Sequence, residues 1–203
     1  MQVKEVSFTG AARRAQIIDA TLAVIAEQGY DRASYARIAE QAQLSSTRLI
    51  SYHFSGKADL ISACASHVIG RIGAWTGSAV HAERTAAGAL RAYITATVGF
   101  IDRNRAAMAA LTRIVLAGAL EYTTADDTQA AAPLEDLLRR GQKSGEFRSF
   151  DPVVMAHAVQ RSIDGLPFVL ERAPWTDCAA YGRELAALFE LATRIDAPNT
   201  VSS

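Results

Sequence analysis

Residues 34–60 read SYARIAEQAQLSSTRLISYHFSGKADL, and this stretch decides the fold. Ser34 is a good N-cap, and Ile38 and Ala42 follow on one face, so a short helix is expected to start there. Gln43-Leu44-Ser45-Ser46 breaks the pattern, and a second short helix runs through Leu49 and Ile50. Ser55 or Gly56 starts another, with Asp59 in its first turn, where the helix dipole favours an acid. Upstream, a longer helix begins at Ala11. Ile18, Leu22 and Ile25 sit at i, i+4 and i+7, beside Ile17, Thr21 and Val24, and Gly29 closes it as a residue tolerant of left-handed geometry.

Two short helices joined by a tight break, after one longer helix, form a helix-turn-helix arrangement. Its second short helix must project its early residues into a DNA major groove about 12 Å wide, while the first crosses the backbone. Such a helix needs a small, polar outer face, and Ser45, Ser46, Thr47 and Arg48 provide one. Leu49 and Ile50 supply the inner face, and Phe54 belongs to the core. Tyr52, His53 and Lys57 follow at the far end, with a hydroxyl, an imidazole and an ammonium suited to phosphate oxygens. The same residues fit plainer roles. Ser34, Ser45 and Ser46 are ordinary caps, Arg37 and Lys57 suit a solvated face, and His53 suits packing against the next helix.

Beyond residue 70 the pattern stays helical. Leu90, Ile94, Val98 and Ile101 mark one helix; Met108, Leu111, Val115 and Tyr122 another; Leu134, Leu137, Leu138 and Gly141 a third. Asp151-Pro152 is a strong start, a capping carboxylate followed by proline at the first helical position. Val159, Ile163, Leu166 and Leu170 continue from it, and Pro167 is expected to kink or interrupt that helix. The last helix starts near Thr176 or Asp177 and runs through Tyr181, Leu185, Leu188, Ala192 and Ile195. Residues 1–10 read as a loose arm and 197–203 as a loose tail. No segment alternates as a half-buried strand does. The expectation is an all-α fold of about nine helices: a head over 11–71, its helix-turn-helix at about 34–53, and a helical body over 72–203.

Composition fits this and narrows the function. The chain has 203 residues, half of them apolar, and a net charge of zero, so charge balance alone does not point to nucleic acid. Residues 1–60 hold seven Lys/Arg against six Asp/Glu, so any DNA contact rests on where charges stand, not on their sum. The two cysteines, Cys64 and Cys178, lie far apart, which favours a reducing compartment over a disulfide framework. The start shows no apolar run behind basic residues, and the longest apolar run, Ile114 to Leu120, is far short of a membrane span, so a cytoplasmic protein without membrane contact is expected. Histidines at 53, 67, 81 and 157 share no metal-ligand spacing, and no phosphate-cradling or Gly-x-Ser-x-Gly motif appears, which argues against an enzyme, a metal or a cofactor.

The run Ile38-Ala39-Glu40-Gln41-Ala42-Gln43-Leu44-Ser45, followed by Ser51-Tyr52-His53-Phe54-Ser55-Gly56-Lys57-Ala58-Asp59-Leu60, resembles the DNA-binding signature of the tetracycline-repressor (TetR) family. Ile17-Ile18-Asp19-Ala20 and Gln28-Gly29-Tyr30 resemble that family's first helix and its end. Many members carry a glycine early in the third helix, where this chain has Thr47-Arg48, and the span from Ser45 to Phe54 is one residue longer than the commonest form. The resemblance implies backbone contacts from Ser34, Tyr35 and Arg37, and phosphate contacts from Tyr52, His53 and Lys57. Thr47, Arg48 and Ser51 are the candidates for base edges. Arg48 is foremost, because a guanidinium holds guanine O6 and N7 together. Which of Ser46, Thr47 and Arg48 meets a base stays open.

The resemblance also implies a homodimer, paired through helices at roughly 152–171 and 177–195, on a double-stranded operator with an inverted repeat. It implies a small-molecule effector held among the middle helices, for which Trp75, Tyr93, Phe100, Arg113, Arg161, Asp164 and Phe168 are the candidate lining. Each has a plain alternative: aromatics at helical spacing are commonly core, and Arg161 and Asp164 are placed to pair with each other. The expected function is an operator-binding repressor released by its effector. A transcriptional activator of the same fold, or a helical protein-binding adaptor without DNA activity, are the alternatives.

Overall fold

In the computed structural model, residues 8–120 and 124–195 are described, and these are helical wherever they are regular. The helices are α1 (Phe8–Gln28), α2 (Tyr35–Gln41), α3 (Arg48–His53), α4 (Lys57–His81), α5 (Ala86–Arg103), α6 (Arg105–Leu116), α7 (Thr124–Lys143), α8 (Pro152–Asp164), α9 (Leu166–Arg172) and α10 (Cys178–Thr193). α8 and α9 are the halves of one helical path. Gly165 stands at the join, and Pro167 has no N–H with which to continue the ladder. The arm before residue 8, Tyr122, and the tail beyond residue 195 lie outside the described residues.

The helix ends follow from their residues. The Asp151 carboxylate accepts the N–H groups of Val153 (2.9 Å) and Val154 (3.3 Å), so the Asp-Pro start of α8 is a full cap. Asp177 does the same for α10 through the N–H of Ala180, 2.9 Å away. Gly29, at φ +89°, ends α1, its N–H donating to the carbonyl of Ile25. α7 ends on Gly145, at φ +74°, with Glu146 N–H reaching back to the Gly141 carbonyl and Gly145 N–H to that of Gln142.

The chain forms two compact units. The first is built from α1, α2, α3, α4 as far as Arg71, and α6. Its core is aliphatic: Ile17, Leu22 and Ile25 from α1, Ile38 from α2, Ile50 from α3, Leu60, Ile61 and Val68 from α4, and Ile114 from α6 are all buried. Each such side chain contributes about 1.5–3 kcal/mol when fully removed from water. α6 packs along α1, a long-range pairing that sets residues 105–116 in the same unit as the helix-turn-helix.

The second unit holds the remainder of α4 with α5, α7, α8, α9 and α10. α5 is its central helix, contacting α7, α8, α9 and, most extensively, α10. α10 approaches α5 closely because Gly182 faces Val98. The buried stripe of α10 is Cys178, Gly182, Ala186, Phe189 and Thr193. A second stripe, Leu188, Leu191 and Ile195, remains exposed beside it. The outward residues Val154 on α8 and Phe168 on α9 are exposed too.

Candidate nucleic-acid interface

α2 starts where Ser34 Oγ accepts the N–H of Arg37 at 3.4 Å. It ends in a turn closed by two backbone bonds: Leu44 N–H to the Ala39 carbonyl (2.8 Å) and Gln43 N–H to that of Glu40 (3.0 Å). This is the Schellman pattern, which needs a left-handed residue at its C′ position. Gln43 fills it at φ +51°, and it is the one non-glycine residue with positive φ among the described residues.

The turn delivers α3. Ser46 Oγ accepts the N–H of Arg48 at 3.1 Å, and Thr47 is the N-cap without using its own hydroxyl for the cap. Ile50 is buried and Leu49 half-buried, which fixes the inner face. Ser45, Ser46, Thr47, Arg48, Ser51 and Tyr52 are exposed. Among the described residues, the side chains of Thr47, Arg48 and Ser51 meet no hydrogen-bonding or ionic partner, so three polar groups stand open at the start of a helix whose rear is anchored. Phe54 is buried, as its assignment to the core requires.

The flanking candidates are partly engaged. Arg37 donates to the Gln28 side chain. Lys57 lies over the Tyr30 ring, its ammonium 4.3 Å from the centroid. His53 packs edge-on against Tyr52, with ring centroids 5.1 Å apart. Ser34 and Arg37 are exposed and Tyr35 half-buried at the start of α2. The eleven candidates therefore fall on α2, the turn, α3 and the first residue of α4, with no strand or long loop between them.

Two residues that sequence reasoning passed over hold this motif from behind. Gln16 of α1 donates to the Ala42 carbonyl, 2.7 Å away, at the end of α2. Arg14 donates through Nη1 to the His53 carbonyl, 2.6 Å away, at the end of α3. A polar pair at the start of an amphipathic helix carries no signal that it will meet carbonyls 26 and 39 residues on.

The effector candidates are more scattered. Tyr93 donates to Gln160 Oε1 at 2.6 Å, Gln160 Nε2 donates to Asp164 at 2.8 Å, and Arg161 pairs with Asp164 at 3.2 Å. One polar chain thus links three of the seven. Burial and then the Asp164 charge push the Tyr93 hydroxyl up to about 12, so it stays a protonated donor. Phe100 is buried; Phe168 is exposed; Trp75 lies under the Arg103 guanidinium at 5.1 Å. Arg113 belongs to the first unit, where it donates to the carbonyls of Ile25 and Ala26 at the end of α1. A groove of about 380 Å³ opens in the second unit, lined by Val80, Thr85, Ala89, Leu137, Arg140 and Glu146 among others, and none of the seven lines it. Among the described residues no group of three or more His, Cys, Asp or Glu is placed to hold a metal ion.

Comparison with known proteins finds likenesses both in the sequence of these helices and in the fold. Residues 17–64 match the family model described as bacterial regulatory proteins, tetR family. The HTH-type transcriptional regulator BetI of Burkholderia thailandensis is 38% identical over 86 residues, a stretch that spans 42% of this chain and 42% of that relative's length. The fold is shared more widely. A TetR family transcription regulator from Marinobacter aquaeolei VT8 superposes with a TM-score of 0.76 at 15% identity, over 93% of this chain and 98% of that one. The transcriptional regulator FadR from Bacillus subtilis, solved in complex with stearoyl-CoA, superposes with a TM-score of 0.71 at 22% identity, over 86% and 96%. The stretch matched to the tetR family model, residues 17–64, covers α2, the turn, α3 and parts of α1 and α4, so the likeness to bacterial regulatory proteins of that family falls on the helix-turn-helix.

Proposed function

We propose that this chain is a transcriptional repressor that binds an inverted-repeat operator as a homodimer and is released by a small-molecule effector. The observation that carries it is the start of α3: Thr47, Arg48 and Ser51 are exposed and without partners among the described residues, while Ile50 and Phe54 behind them are buried. Arg48 holds guanine O6 and N7, Thr47 and Ser51 meet neighbouring base edges, and Ser34, Tyr35, Arg37, Tyr52, His53 and Lys57 hold the phosphates.

One α3 reads only a few base pairs, so a second copy is needed for a useful site. Its contact face is the outward pair Leu188 and Leu191 on α10 and Ile195 just beyond it, with Val154 and Phe168 on α8 and α9. A face of this composition is costly to leave in water and suits a two-fold pairing, in which the same patch meets itself. The protein works in the cytoplasm, where Cys64 and Cys178, both buried and neither in a disulfide, stay reduced. Among the described residues no helix is long and apolar enough to cross a membrane.

The effector has an apolar body and a polar end. Phe100 and Trp75 suit the first, and the Tyr93–Gln160–Asp164–Arg161 chain suits the second. FadR, whose solved complex contains stearoyl-CoA, is a fold relative with a ligand of that general kind. To release DNA, the effector must bind the DNA-incompetent state better; a swing from 99:1 to 1:99 takes about 10⁴-fold differential affinity.

Selection from a random DNA pool at fixed salt tests the proposal. Enrichment of an inverted repeat, with half-sites about one helical turn or a multiple apart, is the expected result. Binding without sequence enrichment, with or without candidate effectors, would contradict it.

A further inference from the structure

We infer that Arg14 is a positioning residue for DNA readout: its guanidinium sets the angle of α3 without touching DNA. The inference rests on the assignment of α3 as the reading helix. α3 has six residues, too few to hold a helix by its own ladder, so its direction is set by what grips its two ends and its inner face. At the front, Ser46 Oγ takes the Arg48 N–H. At the back, the last carbonyls of a helix lack intrahelical partners, and a cation there also meets the negative end of the dipole.

Arg14 occupies that place. Its Nη1 donates to the carbonyl of His53, the last residue of α3, at 2.6 Å. Its guanidinium carbon lies 4.1 Å from the centroid of the buried Phe54 ring. Its Nη2 stands 3.9 Å from Asp59 Oδ1, while Asp59 Oδ2 accepts both the N–H (2.8 Å) and the hydroxyl (3.2 Å) of Ser55 at the start of α4. One planar group thus ties α1 to the end of α3, to the aromatic behind it and to the cap of the next helix. Gln16 supports the same arrangement one helix earlier: its Oε1 accepts from Arg13 at 2.7 Å, which turns its Nε2 toward the Ala42 carbonyl. α1 therefore grips the C-terminal ends of both helices of the motif. Base hydrogen bonds weaken steeply as they depart from linearity, so a loosened α3 loses base discrimination before it loses phosphate attraction.

The test uses the full-length protein, with Arg14→Ala and Arg14→Lys, against the selected operator and a scrambled duplex over a range of salt. Positioning predicts that operator affinity falls at least about tenfold, the scale of one charge-assisted hydrogen bond, while scrambled-duplex affinity and its salt slope stay within error. Lysine does not rescue, because an ammonium lacks the planar fork that bonds one carbonyl while stacking on a ring. An unchanged ratio of operator to scrambled affinity would overturn the inference. So would a slope flattened by about 0.9 with rescue by lysine, since that marks a phosphate contact. Hydrogen exchange without DNA reads the same claim independently of operator binding. The amides of Ile50 to Phe54 should exchange at least about tenfold faster in both variants, with those of α6 unchanged. Equal rates would overturn the inference even if wild-type protein proved to bind no operator, an outcome that would count against the repressor proposal instead. Should Arg14→Ala fail to fold, Arg14→Lys carries both readouts.

Discussion

The Lys57 ammonium stands 4.3 Å from the centroid of the Tyr30 ring, so the loop that ends α1 holds the first residue of α4. Such a contact orients the lysine through attraction to the ring face, yet Lys57 remains exposed. Under the proposed function, a cation held at the surface beside the end of α3 serves a phosphate. Lys57→Ala is expected to weaken binding to every duplex about equally and to flatten the log–log salt slope by about 0.9 for each lost phosphate contact. Titrations at four or more salt concentrations check this, and an unchanged slope would mark a solvated surface lysine.

Gln43 sits where glycine sits at the ends of two other helices. Gly118 and Gly145, at φ +62° and +74°, occupy the same C′ position in the same two-bond pattern. A side chain in that region costs about 1–2 kcal/mol, which glycine avoids, although glycine also widens the unfolded ensemble. Gln43→Gly is therefore expected to raise stability by roughly 1 kcal/mol, seen as a higher urea midpoint with an unchanged m-value. A lower midpoint would show that the Gln43 side chain makes a stabilising contact.

Gly141 lies against Phe147, and a Cβ built there would run into the phenyl ring and approach Ala86 Cβ to 2.9 Å. Phe147 is itself buried, so the ring has little room to yield. Gly141→Ala should destabilise by about 1–3 kcal/mol, the usual cost of overpacking. Thermal unfolding measures it, and a neutral result would mean that Phe147 swings clear.

Leu188 is 56% exposed in the single chain, although Ala186 and Phe189 beside it are buried. Leu188→Glu should leave the fold of one chain intact and disrupt the proposed dimer, because pairing would bury an unpaired carboxylate. Sedimentation shows which: a variant that still runs as a dimer places the contact elsewhere.

Much of this molecule is legible in its residues, for local reasons. Gly29, Asp151-Pro152 and Pro167 mark helix ends by their own backbone chemistry, and each does so in the structure. The inner faces of α2 and α3 are visible as Ile38, Ala42 and Ile50 because burial follows helical spacing. The illegible part is long-range. Nothing in residues 105–116 announces that they pack on α1, or that Arg113 spends its guanidinium on the carbonyls of Ile25 and Ala26. Arg14 and Gln16 look like surface polar residues until the ends of α3 and α2 arrive beside them. Gln43 is silent for another reason: a left-handed turn is expected of glycine or asparagine, and glutamine gives no sign of it.

The central claim is that the start of α3 reads bases, with Arg48 foremost. The most direct measurement is parallel selection from one random pool, at one stated salt concentration, by the wild-type protein and by Arg48→Ala. The account predicts the same inverted repeat for both, with preference relaxed at one position in each half-site and a cost of about 1–3 kcal/mol on the wild-type operator. Identical preferences at every position, with affinity reduced equally for all sequences, would contradict it and make Arg48 a phosphate contact.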